Sequence, residues 1–252
     1  MKIDLFKIGS LTVHGYGFMI GIGFILAMLL AEYRAKKLGL REESVIDITI
    51  IAGLSGFLGA KLLYVIVEFD AFVKNPKAVL GSAGFVVYGG IIAGVLCCML
   101  YCKIKKLNFL EYFDLVMPEI ALAQGFGRIG CFLAGCCYGR ETDSICAVTF
   151  QNSDFAPNHV ALIPTQIYSS ILDFLHFVIL LCIARHKKKD GQVAACYLIF
   201  YSIGRFVLEF FRGDLIRGSV GNLSTSQFIS LFILAEGILL FFIRTKEMKN
   251  KA

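Results

Sequence analysis

Long apolar segments alternate with short polar connections along the whole chain. Seven of these segments approach the length of about 20 helical residues that crosses the hydrocarbon core of a bilayer. They are residues 11–31, 44–67, 83–102, 113–134, 165–184, 193–211 and 226–243. No cleavage pattern precedes the first segment, so we expect it to remain as a membrane helix. The pattern predicts an all-α, polytopic integral membrane protein with seven transmembrane helices, forming a single membrane domain over residues 1–252.

The fourth segment departs from this regularity. Pro118, Glu119 and several glycines interrupt its apolar residues. Its bounds are therefore the least defined of the seven, because proline and glycine often end helices.

Composition and charge support a membrane protein and predict its orientation. Hydrophobic residues make up 57% of the chain and charged residues only 17%. Of the Lys and Arg residues, fifteen lie in connections on one side of the predicted bundle and seven on the other. The positive-inside rule then places the N-terminus outside and the C-terminus in the cytoplasm. The net charge of +6 reflects this orientation and contact with anionic lipid, so no nucleic-acid partner is expected.

Three basic residues lie inside predicted spans: Lys61, Arg128 and Arg205. A charge at the bilayer centre costs about 2.5–3.5 kcal/mol on insertion scales, so an intramembrane charge indicates function by default. Arg128 belongs to GRIGCFLAGCCYG (127–139), whose glycines allow irregular backbone to line a polar cavity. A guanidinium beside backbone amides suits a phosphate group. The alternative is a buried Arg–Glu pair that only fixes helix packing.

The sixth segment repeats this feature. Tyr201, Arg205 and Glu209 are spaced four residues apart, which places them on one helical face and lets Arg205 pair with Glu209. A second intramembrane arginine favours an anion site over two unrelated structural pairs. Tyr16, Lys61 and the PTQIY segment (164–168) add polar positions that are weak signals by themselves.

The chain has nine cysteines, of which Cys131, Cys136 and Cys137 form a C-x4-C-C pattern followed by Cys146. A structural zinc site usually has two well-spaced ligand pairs, and no second pair lies near. A disulfide within residues 131–146 is a second interpretation. Small residues that allow close helix packing are the third and favoured one, so we expect no metal.

Taken together and in chain order, the motifs resemble the prolipoprotein diacylglyceryl transferase family over nearly the full length. The motifs are GYG (15–17), YGGIIAG (88–94), DLVMP (114–118) with Gln124, the 127–139 segment, PTQIY (164–168) and RFVLEFFR (205–212). The resemblance implies transfer of diacylglycerol from phosphatidylglycerol to a cysteine thiol in a lipoprotein signal peptide. The reaction would release glycerol phosphate at the outer leaflet of the bacterial plasma (inner) membrane. Its partners would be phosphatidylglycerol, prolipoprotein signal peptides and membrane lipids, with no metal or organic cofactor.

The resemblance also implies roles for individual residues. Arg128 and Arg205 would neutralise the phosphate, Glu209 would orient Arg205, and Tyr201 and Tyr88 would complete the catalytic set. Substrate-binding positions would be Tyr16, Lys61, Gly89, Gly90, Gln124, Cys131, Cys136, Gly139, Gln166 and Tyr168.

Several of these positions depart from the family pattern. Tyr88 stands where the family has His, Cys131 where it has Asn, Cys136 where it has Glu, and Lys61 where Arg is common. Tyrosine, with a pKa of about 10, is a poor base at neutral pH.

Two explanations of the departures remain. In the favoured one, the arginines supply most of the catalysis and the substrate thiol ionises without a dedicated base. In the other, the chain is a divergent relative that acts on another lipid or acceptor, with Cys131, Cys136 or Cys137 activated by Arg128. A non-catalytic phospholipid-binding membrane protein is the alternative from outside enzymology.

Overall fold

The computed structural model describes residues 4–8, 11–82, 84–214 and 218–249. Within these ranges the chain forms nine helices and three two-stranded antiparallel hairpins. The helices are α1 (Gly15–Leu38), α2 (Glu42–Val67), α3 (Phe69–Lys74), α4 (Pro76–Gly81), α5 (Val87–Lys105), α6 (Phe109–Ala134), α7 (Thr165–His186), α8 (Gln192–Glu209) and α9 (Thr225–Lys249). The hairpins are β1 (Asp4–Ile8) with β2 (Leu11–His14), β3 (Val148–Thr149) with β4 (Ala161–Leu162), and β5 (Ser219–Val220) with β6 (Leu223–Ser224).

Each predicted apolar segment overlaps one long helix of this set. Five of the described helices are long and apolar enough to cross a membrane: α1, α2, α5, α7 and α9. The chain is therefore a mainly helical, multi-pass membrane protein. The other two long helices are α6, which carries Arg128, and α8, which carries Arg205 and Glu209, and these charged residues lower the hydropathy of the two helices.

Two details of the prediction need correction. Residues 11–14 were assigned to the first helix but form strand β2, and α1 begins at Gly15. The all-α prediction also omitted the hairpins and the short helices α3 and α4.

At Pro118 the fourth segment continues as one helix through the proline, because a buried helix interior is tolerant of this residue when neighbouring helices pack against it.

A buried apolar cluster holds α6, α7 and α8 together. Its members are Met117, Ala121, Leu180, Val193, Ala194 and Tyr197. The small residues of this set allow the helices to approach closely, as is usual where lipid provides no hydrophobic driving force.

Asp114 of α6 caps the start of α8. Its side chain is buried, and Oδ1 accepts a hydrogen bond from the backbone N–H of Ala194 at 2.9 Å. Oδ2 accepts from the N–H of Gly191 at 2.9 Å and from Nζ of Lys187 at 3.1 Å. The first amides of a helix have no partner within it, so this carboxylate joins two helices by satisfying them.

The chain forms two compact units. The first comprises Met1–Ala31 and Phe113–Ala252, and the second comprises Glu32–Tyr112. In the second unit α2 and α5 pack through glycines. A Cβ added at Gly90 would lie 2.6 Å from the carbonyl oxygen of Gly56, and one added at Gly89 would collide with the carbonyl oxygen of Gly59. The close approach of these two helices therefore requires glycine at both positions.

Candidate functional site

Arg128 of α6 and Arg205 of α8 line the same cavity in the first unit. The cavity has a volume of about 160 Å³, and α7 forms its third wall. The two guanidinium groups are close enough to repel each other. Side chains of Arg128 and Arg205 remain 25% and 13% exposed, so neither is sealed inside the protein.

The cavity is polar at one end and apolar at the other. Ser169 and Asp173 of α7 face the arginines, while Leu175 and Ile179 line the cavity further along the same helix. From Ser169 to Ile179 the helix rises about 15 Å at 1.5 Å per residue. Leu175 and Phe200 are exposed on the protein surface, so the apolar end of the cavity opens towards lipid.

Arg128 pairs with Asp173. The distance from Nε of Arg128 to Oδ2 of Asp173 is 3.9 Å, and both side chains are mostly buried. This distance exceeds the length of a hydrogen bond. Asp173 therefore supplies a counter-charge without occupying the N–H donors of Arg128.

Arg205 is held more tightly. Its Nη2 lies 2.9 Å from Oε2 of Glu209 and donates to Oγ of Ser226 at 2.8 Å. Oε2 of Glu209 also lies 4.0 Å from Nε of Arg212. Glu209 thus lies between two arginines, and the predicted pairing of Arg205 with Glu209 is present.

Arg212 brings a third guanidinium to the site. Arg128, Arg205 and Arg212 surround a small cavity of about 10 Å³. Arg212 binds Asp214 through two contacts, Nε to Oδ1 at 2.8 Å and Nη2 to Oδ2 at 2.6 Å. Burial disfavours the charged form of this side chain, but the hydrogen bonds to Asp214 outweigh it and hold the pKa of Arg212 above its usual value.

Tyr201 lies in an aromatic stack along the cavity. Its ring stacks on Tyr197 with centroids 5.8 Å apart, and His176 also stacks on Tyr197, with centroids 5.1 Å apart. Gln124 of α6 interacts with Tyr197. The stack limits the freedom of Tyr201, which interacts electrostatically with Arg128.

The chain turns sharply after α6. Gly135 has φ of +76° and Cys137 has φ of +61°, a backbone conformation that favours glycine. The backbone N–H of Cys136 donates to the carbonyl oxygen of Cys131 at 3.1 Å. From the first turn of α7, Gln166 Nε2 donates to the Cys136 carbonyl and Thr165 Oγ1 to the Cys137 carbonyl, both at 2.8 Å.

This turn gathers three thiols. The Sγ atoms of Cys131, Cys136 and Cys137 all lie within 4.8 Å of one another. In the part of the chain that the structure describes, none of the nine cysteines forms a disulfide. Hydrogen bonds to the other two thiols, together with burial, raise the pKa of Cys136 above its usual value. The Cys136 thiol by itself is therefore a poor nucleophile.

Tyr16, Gly139 and Tyr168 border this region in different ways. Tyr16 is 44% exposed and interacts electrostatically with the three thiols. A Cβ at Gly139 would lie 2.5 Å from the carbonyl oxygen of Ile163, so this position requires glycine. Tyr168 lines a separate cavity of about 200 Å³ with Pro164 and Phe211.

The remaining predicted site residues belong to the second unit. Nζ of Lys61 donates to the carbonyl oxygens of Ser82 at 2.7 Å and Gly84 at 3.2 Å. These bonds fasten the segment before α5 to α2. Tyr88 is the second residue of α5 and is 38% exposed, and it is followed by the packing glycines Gly89 and Gly90.

Sequence reasoning missed three residues of the cavities: Asp173, His176 and Arg212. Asp173 had a usable signal, because an acidic residue within an apolar segment is as unusual as an arginine. Arg212 follows Glu209 by three residues, a spacing that also allows a pair. His176 carried no such signal, since a single histidine in an apolar helix usually belongs to the core.

The fold and the site define a class: a multi-pass helical membrane protein in which three arginines gather at a cavity that continues into an apolar groove. Comparison with known proteins agrees. The family model described as prolipoprotein diacylglyceryl transferase matches residues 4–243. The chain belongs to the prolipoprotein diacylglyceryl transferase family.

Relatives with established names match over nearly their whole length. The phosphatidylglycerol–prolipoprotein diacylglyceryl transferase of Clostridium tetani is 50% identical over 243 residues, which covers 96% of this chain and 97% of the relative. Transferase 2 of the same description from Clostridium perfringens is 50% identical over 244 residues, covering 96% and 94%. The Finegoldia magna relative is 36% identical over 238 residues, covering 93% and 92%.

Proposed function

We infer that this chain is a transferase that moves the diacylglyceryl group of phosphatidylglycerol onto the cysteine thiol of prolipoproteins. Relatives that bear this name share half of their residues with the chain along almost the full length. The observation that carries the mechanism is that Arg128 and Arg205 line one cavity with an apolar, exposed far end. A phospholipid has this distribution of charge and apolar surface.

The reaction requires stabilisation of a leaving phosphate. The substrate sulfur, as a thiolate, attacks the glycerol carbon that carries the phosphate, and a C–S bond forms as the C–O bond breaks. The electron pair of that C–O bond leaves with glycerol phosphate, which gains one negative charge. Arg128 and Arg205 would face this developing charge in a site shielded from water, where fixed positive groups act most strongly.

The other residues of the cavity position these arginines and the lipid. Glu209 and Ser226 hold Arg205, and Asp173 balances Arg128 without occupying its N–H donors. Tyr201 donates its hydroxyl group to the phosphate or to the leaving oxygen. Acyl chains lie along Leu175 and Ile179, on the side open to the bilayer.

The thiol proton is handled by the substrate itself. A cysteine thiol has a pKa of about 8.5, so a useful fraction is ionised near neutral pH. A positive cavity draws the thiolate in and increases this fraction. The other residues that the sequence predicted for the site remain proposed contributors to substrate binding or to the shape of the site. They are Tyr88, Tyr16, Lys61, Gly89, Gly90, Gln124, Cys131, Cys136, Gly139, Gln166 and Tyr168.

The membrane arrangement is part of the same proposal. With α6 and α8 added to the five apolar helices, the chain has seven spans, an outer N-terminus and a cytoplasmic C-terminus, consistent with the distribution of Lys and Arg. The arginine end of the cavity then lies near the outer leaflet of the bacterial plasma membrane, where signal peptides emerge. The single membrane domain over residues 1–252 remains a prediction.

A rescue assay tests the function. Expression of this chain should restore growth to a bacterium depleted of its own transferase, and Arg128→Ala or Arg205→Ala should abolish the rescue. Arg185→Ala, at an exposed position in the last turn of α7, is the matched control and should rescue. Purified protein with labelled phosphatidylglycerol and a lipobox peptide should release glycerol phosphate together with thioether product. A well-expressed wild type that neither rescues nor forms product would overturn the proposal.

A further inference from the structure

We propose that Cys131, Cys136 and Cys137 form a binding site for a thiophilic divalent metal ion such as Zn²⁺ or Cd²⁺. Their Sγ atoms lie within 4.8 Å of one another. Thiolates bound to Zn²⁺ at about 2.3 Å in a tetrahedron are about 3.8 Å apart. A small contraction of the cluster therefore provides three ligands of a tetrahedral site.

The local fold assembles these ligands independently of any metal. Cys131 is fixed in the last turn of α6, and the hydrogen bond from the Cys136 N–H to the Cys131 carbonyl folds the chain back over it. Gln166 and Thr165 hold the carbonyls of Cys136 and Cys137 from α7. A site arranged in advance loses little conformational freedom when the ion binds.

The surrounding charge favours the complex. Three thiolates and one divalent ion carry a net charge of −1, which a buried location tolerates only when it is compensated. Arg128 interacts electrostatically with Cys131 and Cys137, and Arg212 hydrogen-bonds to Cys137. On binding, each thiol releases its proton to solvent, three S–metal bonds form, and no oxidation or reduction takes place.

The geometry leaves the site accessible. Cys131 is buried, but Cys136 and Cys137 are only half-buried, so an ion can enter and a water molecule can take the fourth position. Occupied in this way, the cluster attracts Arg128 and Arg212. If the proposed transfer reaction is correct, the bound ion inhibits it, because Arg128 is drawn from the phosphate.

Metal binding can be measured without the reaction. Reduced wild-type protein in detergent is titrated with Cd²⁺, and the ultraviolet thiolate-to-cadmium charge-transfer band is followed. We expect one equivalent to bind with the intensity of three thiolates and to protect three thiols from alkylation. The triple variant Cys131→Ser, Cys136→Ser, Cys137→Ser should bind more than about a hundredfold more weakly. The matched control Cys146→Ser, Cys182→Ser, Cys196→Ser should bind as the wild type does.

Two further variants keep the test decisive if the triple Ser protein does not fold. Cys137→Ser alone should reduce the charge-transfer intensity by a third, and Arg212→Gln, which keeps all three ligands, should weaken binding about tenfold or more. Wild-type protein that binds no Cd²⁺ or Zn²⁺, or a triple Ser variant that binds with unchanged affinity, would overturn the proposal. Inhibition is assayed separately, so absence of transfer activity would refute the proposed function and leave the binding result intact.

Discussion

Asp173 of α7 lies 3.9 Å from Arg128 of α6, on the wall of the cavity that Arg205 also lines. Each cavity arginine thus has its own carboxylate, Asp173 for Arg128 and Glu209 for Arg205. The two pairs differ in strength, since only the second lies within hydrogen-bond distance. We therefore expect Arg128 to be the more available of the two for an anionic ligand.

Replacing Asp173 tests the looser pair. Asp173→Asn keeps the shape of the side chain but removes the counter-charge, so the two guanidinium groups repel each other more strongly. Transfer activity should fall by about tenfold, the scale of a charge-assisted contact. Asp154→Asn, which alters an exposed carboxylate in the loop between α6 and α7, is the control. Equal activity of both variants would show that Asp173 does not position Arg128.

Replacing Glu209 tests the tighter pair. Glu209→Gln should lower kcat by about 10²-fold or more, because Arg205 turns from the cavity when its carboxylate is lost. Ser226 still accepts a hydrogen bond from Arg205, so the protein should fold. Kinetics of glycerol phosphate release measure the effect. A variant that raises only KM would indicate that Glu209 contributes to lipid binding rather than to the reaction.

The cap formed by Asp114 predicts a loss of stability. Asp114→Ala leaves the buried N–H groups of Gly191 and Ala194 without an acceptor, at a cost of about 1–3 kcal/mol. Asp190→Ala removes the second acidic partner of Lys187 but takes no acceptor from either amide. Thermal unfolding in detergent should show a clearly lower midpoint for Asp114→Ala than for Asp190→Ala.

The glycine contacts of the second unit predict a packing defect. Gly90→Ala would place a Cβ 2.6 Å from the Gly56 carbonyl oxygen and force α2 and α5 to separate. Overpacking of this kind destabilises by about 1–3 kcal/mol. Gly21→Ala in α1 meets nothing within 4 Å and is the control. Both variants are compared by the fraction that remains folded after heating, and equal fractions would contradict the packing argument.

If the substrate thiol ionises without a general base from the protein, substitution of Tyr88 should have little effect on the rate. Tyr88→Phe should retain nearly wild-type activity, whereas loss of a general base lowers rates by about 10²–10⁴-fold. The rate should also rise with pH and level off below about 8.5, the pKa of an ordinary thiol, because the thiolate is the reacting form and the positive cavity favours it. A large loss in Tyr88→Phe would assign Tyr88 a direct role. Improved rescue by Tyr88→His would show that a base at this position still assists.

The long helices were predictable because hydropathy persists over about 20 residues and a bilayer imposes that length. Hairpins with strands of two residues, such as β3 with β4, have no comparable periodicity. Among the site residues, Arg205 and Glu209 were predictable as a pair because their spacing of four is a property of one helix. The pairing of Arg128 with Asp173 depends on how two helices pack, and no spacing along the chain encodes that.

The arrangement of the cysteines was also not predictable from their spacing along the chain. The C-x4-C-C spacing allowed packing, a disulfide or zinc, and the sequence favoured packing without showing that the three thiols lie together. The left-handed backbone at Gly135 and Cys137 brings the thiols together. Glycine at position 135 was a signal for such a turn, but Cys137 was not.

Gly139 and Gly213 press the strands of chain that follow α6 and α8 against each other, and a side chain on Gly213 would lie 2.5 Å from the Gly139 carbonyl oxygen. This close contact leaves no space between the two segments, so we expect this side of the protein to stay closed. In the proposed reaction, we therefore expect phosphatidylglycerol to enter from the bilayer through the opening between Leu175 and Phe200, which are both exposed at the apolar end of the cavity.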